Sequence, residues 1–292
     1  MADVAAPSPS RLSYRSWLTG PFAFIALLIV VRFVLEILGT PHQLTQYFSS
    51  TGAIYLVAIY LGAVAPLRGF RRSWGIVLPG VLLAAWTQGW VILFTLISGG
   101  LHLERSHFAE PQDWDNLGHL MHHVLEHIVE IAPVAIVVLV LMAAMLVLWR
   151  WPVTVGPGAV LGALVVIRFW SEAMHMPSVV SSAWSSTVAF LLCGLFLGGM
   201  GSLTGLSSPR KLLVPALVLG WAWRFWVLVA VLMGAAFPYM KTHFYSSAQS
   251  HPLIYLLRFL AVEVIVVGLI AGLIEWGIAS WIAGALRLRK PG

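Results

Sequence analysis

One short stretch of the chain is rich in residues that can bind metals. Six of them lie at helical spacing at the start of a long apolar run: His119, His122, His123, Glu126, His127 and Glu130. Positions three and four residues apart share one face of a helix, so these side chains form a single polar stripe. Imidazole and carboxylate groups together suit copper, iron or zinc. The stripe is therefore the predicted metal site, with a hydrated cavity or a subunit contact as the alternative interpretation.

His175 is the residue from the second half of the chain that we expect to reach the same site. It stands between Met174 and Met176, and Glu172 precedes it by three residues. Thioether and imidazole groups suit Cu(I), whereas a carboxylate followed by a histidine at i, i+3 is the spacing of di-iron helices. Copper or non-haem iron is thus the expected cofactor, and the choice between them stays open.

Charged residues also lie inside other apolar runs, where an unpaired charge is costly. Arg32 with Glu36, and Arg168 with Glu172, form i, i+4 pairs. We interpret them as pairs that neutralise each other and fix helix packing, with a proton or anion path as the alternative. Glu275 has no evident partner and is the better candidate for a protonatable group.

The remaining histidines lie outside the apolar runs, where solvated histidines without a function are common. They are His42, His102, His107, His243 and His251. Each one is a weaker candidate for a metal ligand than the members of the stripe.

Membrane-spanning helices must position all of these groups. Hydrophobic residues make up 60% of the 292 positions and charged residues only 10%, which excludes a water-soluble globule. Runs long enough to cross about 30 Å of hydrocarbon occur eight times. The predicted spans are residues 18–39, 49–66, 75–98, 117–149, 156–174, 185–205, 212–237 and 253–285. The single cysteine, Cys193, excludes a disulfide framework.

The cations between the spans predict how the chain is oriented. Nearly all fall on one side: Arg11, Arg15, Arg68, Arg71, Arg72, Arg150, Arg210, Lys211, Arg287, Arg289 and Lys290. The positive-inside rule makes that side cytoplasmic. We therefore predict a multi-pass protein of the bacterial inner membrane with both termini inside and all ten histidines toward the outer side. The net charge of +6 serves orientation, so the lipid bilayer is the expected partner and nucleic acid is not.

The sequence aligns with itself at an offset of 136 residues without a gap. Matching segments are Gly20-Pro21 with Gly156-Pro157, Arg32-Phe33 with Arg168-Phe169, Leu61-Gly62 with Leu197-Gly198, Trp90-Val91 with Trp226-Val227, and His107-Phe108 with His243-Phe244. These matches predict an all-α membrane protein built from two tandem four-helix repeats, residues 18–150 and 151–287. A disordered cytoplasmic tail at 1–17 and a short tail at 288–292 flank them. Repeats with an even number of spans are parallel, and sites tend to form where such halves meet.

The alignment fades in the fourth helix of each repeat. Arg150 and Arg287, which close the two repeats, are one residue out of register. The histidine stripe is also absent from the second copy, where Tyr255 and Phe259 align with His119 and His123. The site is therefore predicted in one half only.

Two partial family resemblances involve the histidines. His102 and His107, followed by His119, His122 and His123, resemble the HX4H and HX2HH boxes of membrane fatty-acid hydroxylases and desaturases, which implies a di-iron centre. His119 and His123, together with the turn His175-Met176-Pro177, resemble outer-face motifs of the CtaG family of copper-delivery proteins, which implies copper transfer. Each resemblance covers only a short part of the chain, and neither assigns a family.

The preferred hypothesis is a membrane protein that binds copper or non-haem iron near its outer face, for oxidative chemistry or for metal delivery. One alternative is a non-enzymatic subunit of a respiratory or oxidase complex, in which the stripe meets another subunit or holds haem. Another is a transporter with its site between the repeats. The sequence leaves open whether the protein is an enzyme.

Overall fold

The chain folds almost entirely into helices. The computed structural model describes residues 14–70, 72–206, 208–236, 240–245 and 251–287. Within these ranges 85% of the residues are helical and no strand is formed. Among the described residues, eight helices are long and apolar enough to span a membrane, as predicted from the sequence. The predicted tails fall largely outside the described residues, except that the first helix already begins at Tyr14.

The eight spanning helices are named α1 to α8. Their bounds are α1 Tyr14–Ile37, α2 Ser50–Val64, α3 Trp74–Gly100, α4 Leu117–Leu148, α5 Val155–Ala173, α6 Ser186–Leu203 and α7 Pro209–Ala236. Helix α8 has three consecutive segments, α-helical Pro252–Arg258, π-helical Phe259–Val267 and α-helical Gly268–Arg287. Short helical turns lie at His42–Thr45, Gln46–Phe48, Ala65–Arg68, Pro111–Asp115, Pro152–Thr154 and Ser178–Ala183.

The chain divides into two compact units, Met1–Leu146 and Val147–Gly292. In the first unit, small residues bring helices close together, as is usual where lipid removes the hydrophobic driving force. A Cβ atom at Gly62 of α2 would lie 2.8 Å from the backbone of Met142 on α4. A Cβ atom at Gly80 of α3 would lie 2.6 Å from the side chain of Leu139, which is also on α4. These contacts hold the apolar part of α4 and leave its polar beginning near the loop that precedes it.

Glycine contacts also determine the packing of the second unit. A Cβ atom at Gly198 of α6 would lie 2.6 Å from the carbonyl oxygen of Ala279 on α8. At Gly220 of α7, a Cβ atom would overlap the backbone of Gly268 and lie 2.7 Å from the Cα atom of Gly272. Helices α7 and α8 therefore meet backbone to backbone, which only glycine permits on both sides.

Candidate functional site

Asp113, in the loop before α4, organises the beginning of the histidine stripe. It occupies the third position of the one-turn helix Pro111–Asp115, where its carboxylate accepts a hydrogen bond from the Glu110 amide at 2.8 Å as part of a capping box. Its side chain is 0% exposed. The Oδ1 atom lies 2.7 Å from Nδ1 of His119, and Oδ2 lies 2.9 Å from Nδ1 of His123. One buried carboxylate thus holds two imidazoles from successive turns of α4.

The charge of Asp113 fixes which ring nitrogens remain free. Burial would raise the pKa of this carboxyl, but the hydrogen bonds from His119 and His123 and from the Glu110 amide outweigh burial and hold the pKa below its ordinary value. An ionised carboxylate only accepts hydrogen bonds, so both histidines donate from Nδ1. In the neutral imidazoles, Nε2 then carries the lone pair that can bind a cation.

His127 continues the same arrangement one turn further along α4. Its Nδ1 atom lies 3.1 Å from Oε2 of Glu130, which also accepts a hydrogen bond from the Gln88 amide of α3 at 3.3 Å. The rings of His123 and His127 are 4.9 Å apart, centroid to centroid. His119, His123 and His127 therefore form a ladder of three imidazoles, each with Nδ1 held by a carboxylate.

The other side of the predicted stripe faces outward. The side chains of His122 and Glu126 are 68% and 59% exposed and lie 3.3 Å from each other. The expectation that all six residues point into the protein is met by His123 and His127, which are 19% and 17% exposed. It is wrong for His122, Glu126 and Glu130, whose side chains are exposed, and His119 is intermediate. The six positions spread over roughly 140° of the helix, and Asp113 and α3 cover only one edge of that arc.

No complete metal site is assembled in the part of the chain that the structure describes, where no three His, Cys, Asp or Glu side chains are grouped closely enough to hold an ion. His175 belongs to the second unit and follows the end of α5 with a φ of +56°, its Nδ1 3.3 Å from the Glu172 carbonyl oxygen. Its role as a ligand beside the stripe stays a prediction.

A second polar cluster surrounds Glu36, near the C-terminal end of α1. The expected ion pair is present, with Nε of Arg32 at 3.1 Å from Oε1. Thr45 donates its hydroxyl to the same oxygen at 3.1 Å, and His107 contributes its backbone amide at 3.1 Å and its ring Nδ1 at 2.6 Å to Oε2. Burial lowers the pKa of His107, although Glu36 raises it. His107 was the weaker kind of candidate in the sequence, and the structure makes it a partner of a buried carboxylate.

The second unit contains the corresponding arginine, glutamate and histidine, whereas Ser181, which aligns with Thr45, donates its hydroxyl to the Ser178 carbonyl oxygen. Arg168 donates from Nε to Glu172 at 3.1 Å, and His243 donates its amide at 2.9 Å and places Nδ1 at 2.5 Å from Oε2. Glu172 and His243 are 71 residues apart in sequence, and so are Glu36 and His107 in the first unit. Both Glu-His pairs have the same spacing in sequence, and this repeated spacing could have predicted the two contacts. Pairing by helical spacing considers only residues within one helix and therefore missed them.

Glu275, the predicted protonatable group, is buried in the second unit. Its side chain is 0% exposed, and among the described residues neither of its oxygens has a hydrogen-bond partner. A Cβ atom at Gly194 of α6 would lie 3.2 Å from Oε2. Cys193, the neighbouring residue, is also buried. The carboxyl group therefore lies in apolar surroundings between α6 and α8.

Comparison with known proteins adds no family to this picture. The chain matches no protein-family model, no curated protein and no solved structure. Its function is therefore argued from its own geometry.

Proposed function

We propose that this protein binds a transition metal at the outer end of α4, through the Nε2 atoms of His119 and His123. The observation that supports this function is the buried carboxylate of Asp113, which lies within 2.9 Å of Nδ1 of both histidines. Histidines that bind metals almost always donate their other ring N–H to a carboxylate, carbonyl or water, which fixes the tautomer and the ring orientation. Asp113 holds two imidazoles in that state.

His127 is the third proposed ligand, because Glu130 supports its Nδ1 in the same way at 3.1 Å. Ligands at i, i+4 and i+8 face the same side of α4, and small side-chain rotations bring successive Nε2 atoms toward a shared ion. Copper and iron remain the proposed metals, since imidazole suits both. His122 and Glu126 are the least supported members of the original set, because both side chains face outward.

A tandem duplication is part of the proposal. Glu36 with His107 and Glu172 with His243 make the same pair of hydrogen bonds, and each residue is displaced by 136 positions from its counterpart. The helix ends agree as well. Gly39 and His175, also 136 residues apart, both follow a spanning helix with a positive φ, +86° and +56°. Such detailed agreement supports two parallel repeats descended from one four-helix unit.

The π-helical segment of α8 offers a physical reason for the register shift in the fourth helices. Gly62 packs on Met142, whereas Gly198 packs on Ala279. The two glycines are 136 residues apart and their partners are 137 apart, so one extra residue lies between them in the second copy. A π-helical turn can accommodate an additional residue without ending the helix. We place the insertion in Phe259–Val267.

We further propose that both termini are cytoplasmic, in the inner membrane of a bacterium. The distribution of lysine and arginine along the chain supports this orientation. It places the histidine ladder on the outer side, where it can exchange metal with the external compartment or with another membrane subunit. The lipid bilayer surrounds the apolar helices in either case.

Metal analysis of purified protein tests the proposal. The protein is stripped with a chelator, incubated separately with Cu(I) and Fe(II), desalted and measured by elemental analysis. We expect one of these metals to remain at about one equivalent in the wild type and to be largely lost in His123→Ala. His122→Ala is the matched control, because it removes an adjacent imidazole that Asp113 does not hold.

Three outcomes would contradict the proposal. Wild type that retains neither metal leaves the ladder as a packing element. Equal loss in His122→Ala and His123→Ala would show that the Asp113 contact does not define the site. A haem absorption spectrum in place of a bare metal would favour the alternative of a haem-binding complex subunit.

A further inference from the structure

A cavity of about 700 Å³ opens in the second unit. In the proposed topology, the chain segments that line it belong to the cytoplasmic side. It lies where α5 and α7 begin and α6 ends. Phe196 and Met200 of α6 contribute apolar side chains, and Arg150 and Lys211, from two different segments of the chain, contribute cations. Among the described residues that line the cavity, none is acidic. The cavity therefore combines an apolar interior with positive charge.

The two cations are available to a ligand. Both are exposed, and the Lys211 ammonium donates one hydrogen bond to the Gly205 carbonyl oxygen at 3.2 Å, which leaves two of its N–H groups. Within the described part of the chain, neither cation forms an ion pair with a carboxylate. An anionic group between them would therefore gain two charge contacts without displacing an existing pair.

The first unit has different residues at the positions that align with the cavity. In the alignment at offset 136, which rests on the proposed duplication, Tyr14 replaces Arg150, Phe70 replaces Leu206 and Gly75 replaces Lys211. The ring of Phe70 stacks on Tyr14 with centroids 4.7 Å apart, and on Trp17 at the same distance. Tyr14 also donates its hydroxyl to the Gly75 carbonyl oxygen at 3.4 Å. Stacked aromatic side chains thus stand in the first unit at positions that align with residues lining the cavity of the second.

We propose that this cavity binds the anionic headgroup of a membrane phospholipid, with its phosphate near Arg150 and Lys211 and the start of an acyl chain against Phe196 and Met200. Cytoplasmic basic pockets between helices attract anionic lipids, and lysine and arginine near the membrane surface strengthen that attraction. The apolar wall favours a lipid over a soluble anion, because a soluble anion would leave that wall in contact with water.

Native mass spectrometry of the full-length protein tests the lipid site. Protein in a mild detergent is mixed with equal amounts of phosphatidylglycerol and phosphatidylcholine, and the retained lipids are counted. We expect phosphatidylglycerol to be retained on the order of tenfold more than phosphatidylcholine. Arg150→Gln combined with Lys211→Gln should abolish that preference. Arg72→Gln combined with Arg210→Gln is the charge-matched control, since neither residue lines the cavity, and should retain it.

A second variant tests the cavity independently of its charge. Leu206→Phe introduces the ring that Phe70 supplies in the first unit, so it should reduce phosphatidylglycerol retention while both cations remain. Equal retention of the two lipids by the wild type would overturn the proposal, as would equal loss in the control pair. Displacement of the lipid by millimolar inorganic phosphate would assign the cavity to a soluble anion instead. Metal content should be the same in all of these variants.

Discussion

The imidazole Nδ1 of His107 lies 2.6 Å from Oε2 of Glu36, a carboxylate whose side chain is only 2% exposed. The contact joins the loop after α3 to the end of α1, across 71 residues of sequence. Glu36 also receives hydrogen bonds from Arg32 and Thr45. Both oxygens of the buried carboxylate thus accept hydrogen bonds, and such pairing is what makes a buried charge tolerable in a membrane protein.

Two buried glutamates should respond in opposite directions to the same substitution. Glu36→Met removes the acceptor of several donors and leaves Arg32 unpaired, so we expect a loss of about 3–5 kcal/mol in stability. Glu275→Met removes a carboxyl group without a partner, so a gain of about 1–3 kcal/mol is expected. Apparent melting temperatures in detergent measure both changes. A fall for Glu275→Met as large as that for Glu36→Met would mean that Glu275 has a stabilising partner.

Acid should weaken the fold partly through His107. Burial lowers the pKa of His107 in the folded state below that of the unfolded chain, and Arg32 and His42 also lower it, against the effect of Glu36. As pH falls through about 6.5, the unfolded chain takes up a proton that the folded one does not, so stability decreases until pH reaches the folded pKa.

The melting temperature measured from pH 8 to pH 5 checks this dependence. We expect it to fall with pH in the wild type and to fall less in His107→Gln. His251→Gln, which alters an exposed histidine, serves as the control and should follow the wild type. An identical slope in all three proteins would exclude His107 as a source of the acid sensitivity.

Asp113→Asn should weaken metal binding without destroying the fold. The amide keeps the shape of the side chain, but one of its two acceptor oxygens becomes an NH2 donor, so it cannot accept from both His119 and His123. Loss of such an orienting group typically costs 10–100-fold in metal affinity. Titration with the metal identified by elemental analysis gives the affinity, and Asp115→Asn in the same loop is the control. Unchanged affinity in Asp113→Asn would separate the buried carboxylate from the site.

Close packing of α7 on α8 predicts a strong effect at Gly220. A Cβ atom there would overlap the backbone of Gly268, so neither helix can adjust by rotating a side chain. Gly220→Ala should therefore cost at least about 1–3 kcal/mol. Gly277→Ala, at a helical glycine with nothing within 4 Å of the added atom, should be neutral or stabilising by thermal melting. Similar melting temperatures for the two variants would contradict the close approach.

The orientation can be tested with single cysteines in a Cys193→Ala background. Ser73 and Gln112 are both exposed. Ser73 directly precedes α3, and Gln112 lies in the loop between α3 and α4. A membrane-impermeant maleimide applied to intact spheroplasts should label Gln112→Cys, and should label Ser73→Cys only after lysis. Labelling of Ser73→Cys from outside would reverse the proposed topology.

Amino-acid types alone were enough to predict the helices of this protein. Inside a bilayer the backbone must satisfy its own hydrogen bonds, which a helix does, and its side chains must be apolar. Long apolar runs therefore predicted all eight spans near their observed positions. The pairs Arg32 with Glu36 and Arg168 with Glu172 were also predictable, because helical geometry brings residues four positions apart together.

Tertiary structure decided which of the polar residues act together. Asp113 was not among the predicted site residues, because its contacts with His119 and His123 depend on how a one-turn helix folds back over α4. Helical periodicity predicts the direction of each stripe residue, but it does not predict which of these directions another segment of the chain covers. The exposed His122 and Glu126 therefore could not be distinguished from the more buried His123 and His127. The same holds for the basic cavity, which is lined by residues from three helices and the segments that connect them. Spacing along a helix is fixed by local backbone geometry, whereas these contacts arise between segments far apart in sequence, and only the packing of the helices brings them together.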